Sequence, residues 1–158
     1  MTGLRIAEAL SALGSVVGTC VVIALALVVL RRRNAAIVAI GVPVAGFLTD
    51  TLLKVLFHRP RPTNALVPLP QSYSFPSGHA LVAAATYLTI GLLLADRLAT
   101  ARAKTVCVTL CALIALAIAG SRVYLGVHYL SDVVGGLVLG TALALVGRRY
   151  YVARLRPQ

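Results

Sequence analysis

The stretches Lys54-x6-Arg61-Pro62, Pro76-Ser77-Gly78-His79 and Ser121-Arg122-x5-His128-x3-Asp132 gather cations, histidines and a carboxylate at the ends of very apolar segments. Ionisable groups beside lipid are costly, so such a constellation marks a functional site. Lys54, Arg61 and Arg122 supply positive charge at one membrane face, and guanidinium forks match phosphate oxygens in a bidentate way. An anionic phosphate is the natural guest. Gly78 lets the backbone approach closely where an apolar helix starts and its free amides can point at an anion, and Ser77 adds a hydroxyl donor. His128 and Asp132 are four residues apart. If the last helix begins near Val127 they share a face, and the carboxylate can fix the imidazole tautomer while the far ring nitrogen stays free to attack.

These groups need apolar elements to position them, and the composition supplies little else. The 158-residue chain is 59% hydrophobic and only 12% charged, with a mean hydropathy of +0.93. That excludes an ordinary soluble domain. A single domain over residues 1–158 is expected, built as an all-α, polytopic transmembrane helix bundle, because backbone in hydrocarbon must satisfy its hydrogen bonds internally. A barrel would need alternating strands, and these segments are solid apolar runs. About five spans are expected, at residues 6–30, 35–57, 78–95, 104–120 and 127–146. The first could pass for a secretory signal. Its apolar run is too long for a signal core and ends in Arg31-Arg32-Arg33, so it is expected to be retained.

Cations set the orientation. Arg31, Arg32, Arg33, Arg97, Arg102, Lys104, Arg148, Arg149, Arg154 and Arg156 fall at one side of the spans, which the positive-inside rule makes cytoplasmic. Arg5, Lys54, Arg59, Arg61 and Arg122 fall at the other, so the motifs face outward, the N-terminus lies outside and the C-terminus inside. The net charge of +11 is then explained by topology and anionic lipid headgroups, and nucleic acid is not expected as a partner.

The three motifs, in order and with their internal spacings, resemble the signature of the type 2 phosphatidic acid phosphatase superfamily, which includes glucose-6-phosphatase and the vanadium haloperoxidases. The resemblance covers Lys54 to Asp132. It implies a metal-independent hydrolysis, with no cofactor, in which His128 is the nucleophile and forms a phosphohistidine. Asp132 would orient and activate His128, and His79 would protonate the leaving oxygen and then activate water. Lys54, Arg61, Ser77, Gly78 and Arg122 would hold the phosphoryl oxygens. Many bacterial members have six spans with the N-terminus inside; five are read here, which leaves the catalytic parts intact and removes an element that could guide substrate or form an interface. The segment between Arg59 and Phe75 is too short for an added loop domain, so the site is expected to be lipid-accessible.

Other residues take plainer readings. Arg59 and His58 are expected to face headgroups, and Tyr73, Tyr124 and Tyr129 to form an aromatic belt. Asp50, one helical turn from Lys54, is expected to pair with it or to stay protonated or water-facing. Cys20, Cys107 and Cys111 lie within apolar runs with no histidine or carboxylate near, so no metal site is read from them. Gly14-x3-Gly18 and Gly136-x3-Gly140 let helices approach closely, within the bundle or in a homodimer, and Pro43 should bend the second span. The leading function is an integral-membrane lipid phosphatase in the cytoplasmic membrane of a bacterial type of cell. Its substrate would be a polyprenyl phosphate or diphosphate, phosphatidic acid or phosphatidylglycerol phosphate presented at the outer face. A phosphotransferase using the same intermediate is the alternative. A small transporter is a third reading, against which stands the clustering of polar groups at one face rather than the midplane.

Overall fold

The computed structural model describes residues 2–155, all its regular elements helical, and Arg156 of the tail lies outside them. The elements are α1 (Thr2–Leu13), α2 (Val16–Leu30), α3 (Arg33–Phe57), α4 (Gly78–Ala95), α5 (Ala101–Tyr124) and α6 (Leu130–Tyr150), with a last turn of π-helix at Tyr151–Leu155. Four helices or helical stretches, Arg33–Phe57, Gly78–Ala95, Ala101–Tyr124 and Leu130–Leu155, are long and apolar enough to cross a membrane.

The first expected span is a broken one, and α1 with α2 makes a fifth candidate if the pair crosses together. Residues 6–30 do not form one rod: α1 and α2 meet at a bend of 59°. The break has local causes. Ser15 caps α2, its Oγ accepting from the Gly18 N–H at 3.2 Å and donating to the Ala12 carbonyl at 2.6 Å. Gly14 leaves the helix where no side chain fits, since a Cβ there would lie 2.5 Å from Ile118 and 3.3 Å from the His79 ring. At 12 residues, α1 is about 18 Å long, and it packs along the end of α5 that carries Arg122 and Tyr124.

α4 is the axis of the bundle. Most of its side chains are buried, small ones such as Ala80, Ala83, Ala84 and Ala85 among them, and α2, α3, α5 and α6 all pack on it. Both small-residue patterns are consumed inside the bundle rather than left for a dimer. A Cβ on Gly136 would sit 2.7 Å from the Ser77 carbonyl, one on Gly140 would run into the Leu81 carbonyl, and Gly18 abuts the backbone of Ala12 and Leu13. The outer surface is apolar, with Val17, Leu25, Leu48, Leu52, Leu110 and Val138 all exposed, as a hydrocarbon surround requires.

α3 runs unbroken through Pro43 for 25 residues and stops at His58, whose left-handed backbone turns the chain into the segment 59–77 across one end of the bundle. At the opposite end, Arg97 donates to the carbonyls of Val29 and Leu30, and Arg148 pairs with Asp96. Arg97 thus satisfies carbonyls left over at the C-terminus of α2.

Candidate active site

The motif residues converge at the end crossed by segment 59–77. Lys54 comes from the last turn of α3, Arg61 from the segment, Ser77, Gly78 and His79 from the start of α4, Arg122 from the last turn of α5, His128 from the turn after it, and Asp132 from the first turn of α6. Lys54, Arg61, Gly78, His79, Arg122 and His128 line one cavity of about 700 Å³. Ser77 and Asp132 are fully buried behind that lining.

His128 is not on a helix face as the spacing suggested. α6 begins at Leu130, two residues later, and Asp132 sits in its first turn accepting from the Tyr129 N–H at 3.0 Å. The carboxylate still reaches back toward the imidazole, 3.6 Å from Nδ1. The far nitrogen, expected to be free, faces a donor: Arg61 Nη1 lies 3.2 Å from Nε2. A guanidinium can only donate, so Nε2 carries the lone pair and the proton of the neutral ring is on Nδ1. Burial, reinforced by the positive charges of Arg61 and Arg122 and opposed by Asp132, pushes His128 down to about 3. The sign follows: a value below the ordinary one keeps the ring neutral at physiological pH, and the fold loses stability on acidification between the ordinary value and about 3.

Arg61 is braced before it meets any ligand. Its Nε donates to the Ser72 carbonyl at 2.7 Å, Nη1 to the Val127 carbonyl at 2.8 Å and Nη2 to Ser72 Oγ at 3.0 Å. Burial lowers its pKa, with Asp132 and Asp50 opposing, from so high a start that it stays cationic. Arg122, buried, donates to Ser11 Oγ of α1, and its Nε has no partner among the described residues. The Ser77 hydroxyl is also buried and unpartnered, beside the free amides that open α4.

Asp50 takes the first of its expected roles. Its Oδ1 accepts from Lys54 Nζ at 2.5 Å, and the same carboxylate packs on Gly78, where a Cβ would lie 2.8 Å from Oδ2. Asp50 therefore holds an ammonium and the start of α4 together. Replacing it with Ala should lower kcat/KM by on the order of a hundredfold, as misplaced groups do. Asp50→Asn, which keeps an acceptor of the same shape, should lose much less. The comparison is made on a soluble short-chain phosphate, and unchanged kinetics in Asp50→Ala would show that Lys54 is held by other groups.

Arg59 corrects a second reading. It faces the site rather than headgroups, with Nη1 2.7 Å from Asp132 Oδ1 and 2.8 Å from Ser131 Oγ, and its guanidinium lies over the Tyr129 ring at 4.4 Å. Ser74 is a residue the motifs did not mark at all. Its hydroxyl donates to Asp132 Oδ2 at 2.5 Å and lies 3.4 Å from His128 Nδ1. Its position just ahead of the Pro76-Ser77-Gly78-His79 run was the available signal. Tyr73 stacks edge-on against His58, with ring centroids 4.6 Å apart. No group of three or more potential metal ligands occurs among the described residues.

Imidazoles, guanidinium groups and a helix start gathered at one end of a lipid-facing helix bundle define a polytopic membrane protein with a site fit for an anion. The PAP2 superfamily profile matches residues 34–156, and the chain belongs to that superfamily. It is 39% identical over 97 residues to phosphatidylglycerophosphatase B of Bacillus subtilis, an alignment covering 61% of this chain and 48% of that protein. It is 34% identical over 90 residues to an undecaprenyl-diphosphatase of Sulfolobus acidocaldarius, covering 57% of this chain and 39% of the relative. The chain thus spans about half or less of the length of these curated relatives. The crystal structure of a transmembrane PAP2 type phosphatidylglycerolphosphate phosphatase from Bacillus subtilis superposes with a TM-score of 0.87 at 28% identity, covering 97% of this chain and 79% of the other.

Proposed function

We propose that this protein is a membrane lipid phosphatase that hydrolyses a phosphate monoester or diphosphate through a phosphohistidine on His128. The observation that carries the lipid assignment is the shape of the cavity. From the cations it continues as an apolar groove between α2 and α3, walled by Val16, Cys20 and Ala24 on one side and Ile40, Val44 and Phe47 on the other. A phosphate held by Lys54, Arg61 and Arg122 would leave its attached tail in that groove, on the lipid side of the bundle. The relatives named for phosphatidylglycerol phosphate and undecaprenyl diphosphate support a lipid of this kind.

The chemistry follows from the donors. Nε2 of His128 attacks phosphorus in line, the bond to the leaving oxygen breaks, and His79 gives that oxygen a proton. Water, deprotonated by His79, then attacks the phosphohistidine, releasing inorganic phosphate and the free imidazole. Lys54, Arg61, Arg122, the Ser77 hydroxyl and the first amides of α4 stabilise charge on the three equatorial oxygens.

The test is phosphate release by purified protein, in EDTA, across phosphatidylglycerol phosphate, phosphatidic acid and polyprenyl diphosphate, with and without a lipid acceptor. Ala24→Trp, an exposed position on the groove wall, should raise KM for the long-chain substrate at least about tenfold and leave a short-chain soluble phosphate unaffected. Equal effects on both would remove the groove from the reading. No release from any of the lipids would remove the function.

We also propose that the site lies at the outer face of the cytoplasmic membrane, because basic residues collect at the opposite end of the bundle. A cysteine introduced at Asn64 should react with an impermeant reagent from outside, and a reporter fused after Gln158 should be active only in the cytoplasm. The reverse pattern would put the site inside the cell.

A further inference from the structure

Asp132 is completely buried and poorly served by the histidine it is meant to orient. Its Oδ2 stands 3.6 Å from His128 Nδ1, beyond a good hydrogen bond. The short contacts come from elsewhere: Arg59 Nη1 at 2.7 Å on Oδ1, Ser74 Oγ at 2.5 Å and the Tyr129 N–H at 3.0 Å on Oδ2. A desolvated carboxylate needs a counter-charge. His128 is neutral and cannot supply one, so the cation in ion-pair contact with Asp132 is Arg59. Arg59 is itself held, by Ser131 Oγ at 2.8 Å and by the face of Tyr129.

Ser74 completes the connection. Its hydroxyl lies 3.4 Å from Nδ1 and donates to the carboxylate, so it is placed to take the Nδ1 proton's hydrogen bond while giving its own to Asp132. A hydroxyl accepting from Nδ1–H fixes the same tautomer that Arg61 selects at Nε2. Neither Ser74 nor Arg59 belongs to the three motifs.

We infer that Ser74 and Arg59 are positioning residues for the nucleophile: Ser74 links the His128 imidazole to Asp132, and Arg59 pins that carboxylate and balances its charge. The inference rests on His128 being the nucleophile. The ring is then oriented by Asp132, Arg61, Arg59 and Ser74 together, the last three from the segment that joins α3 to α4, instead of by the carboxylate alone.

The experiment measures kcat and KM on a soluble short-chain phosphate for Arg59→Gln, Arg59→Lys, Ser74→Ala and Ser74→Cys, with His128→Ala alongside and thermal melting of each. Arg59→Gln and Ser74→Ala should lower kcat between about tenfold and a hundredfold with KM within about twofold. Arg59→Lys, which keeps the charge, should recover most of the loss, an outcome a packing role would not give. Arg59 has a side chain 37% exposed, so shortening it opens no buried cavity, and in Arg59→Gln the Asp132 carboxylate keeps Ser74 and the Tyr129 amide as donors, so the variant should fold. Wild-type kcat in Arg59→Gln, or a loss confined to KM, overturns its assignment, as wild-type kcat in Ser74→Ala overturns that of Ser74. Should Ser74→Ala fail to fold, Ser74→Cys decides in its place, a wild-type kcat again counting against. An active His128→Ala would bring down the nucleophile reading itself, whereas an inactive one beside unaffected Arg59 and Ser74 variants overturns this inference alone.

Discussion

His128→Ala should cut phosphate release by at least about a thousandfold, because no other group can take over attack on phosphorus. The ring is almost inaccessible, 2% exposed, yet it hangs from the turn between α5 and α6 and not from a packed helix face. Its removal leaves Arg61 with the Ser72 and Val127 carbonyls as acceptors and leaves Asp132 with Arg59, Ser74 and the Tyr129 amide. The scaffold around the site is therefore satisfied without the imidazole. A variant that melts near the parent temperature and retains normal release would refute the assignment. The measurement is phosphate release per folded molecule, with the fold checked in the same detergent.

The second large effect is expected at His79, and it should depend on the leaving group. His79→Gln should lower kcat/KM for an alkyl phosphate by about 10²- to 10⁴-fold, the range that general acid catalysis supplies. With p-nitrophenyl phosphate the departing oxygen needs no proton, so kcat/KM, which reports the first bond cleavage, should fall far less. kcat on that substrate should still drop, because hydrolysis of the phosphohistidine calls on the same imidazole as a base. A loss of equal size in kcat/KM for both substrates would assign His79 to binding or support and not to proton donation. His79 occupies the second position of α4 and shares the cavity wall with His128 and Arg122, a placement from which a proton can reach a bridging oxygen.

Much of this was legible in the chain. Solid apolar runs place α3 to α6 because a spanning helix must satisfy its own backbone, and composition alone carries that requirement. Gly136 and Gly140 read as close-packing positions, and α6 does approach α4 there. Motif spacing brought together residues as far apart as Lys54 and Asp132. What could not be read depends on how loops are seated. The four-residue interval between His128 and Asp132 looked helical, yet their proximity comes from a helix that starts between them and points its first-turn carboxylate backward. Arg59 and Ser74 reach Asp132 only because segment 59–77 is laid across the end of the bundle and tied by Arg61 to Ser72 and Val127. The break at Gly14 has a local signal in the Ser15 cap, but the close fit of Gly14 against Ile118 and His79, both far along the chain, is something no local pattern registers.

The helix that walls one side of the apolar groove, α2, contributes none of the side chains that the three motifs place around His128. Its outward residues are mostly aliphatic, with Val17, Leu25 and Val28 exposed on the surface of the bundle. On the proposed reading α2 serves the tail alone, whereas α3 both walls the groove and carries Lys54. Substitutions along the 15 residues of α2 can widen, shorten or reshape the groove while every phosphate-facing donor keeps its neighbours. If the groove holds a lipid tail as proposed, such a layout gives natural drift, and a laboratory library, a stretch of sequence in which lipid preference can change while the phosphate-facing donors stay in place.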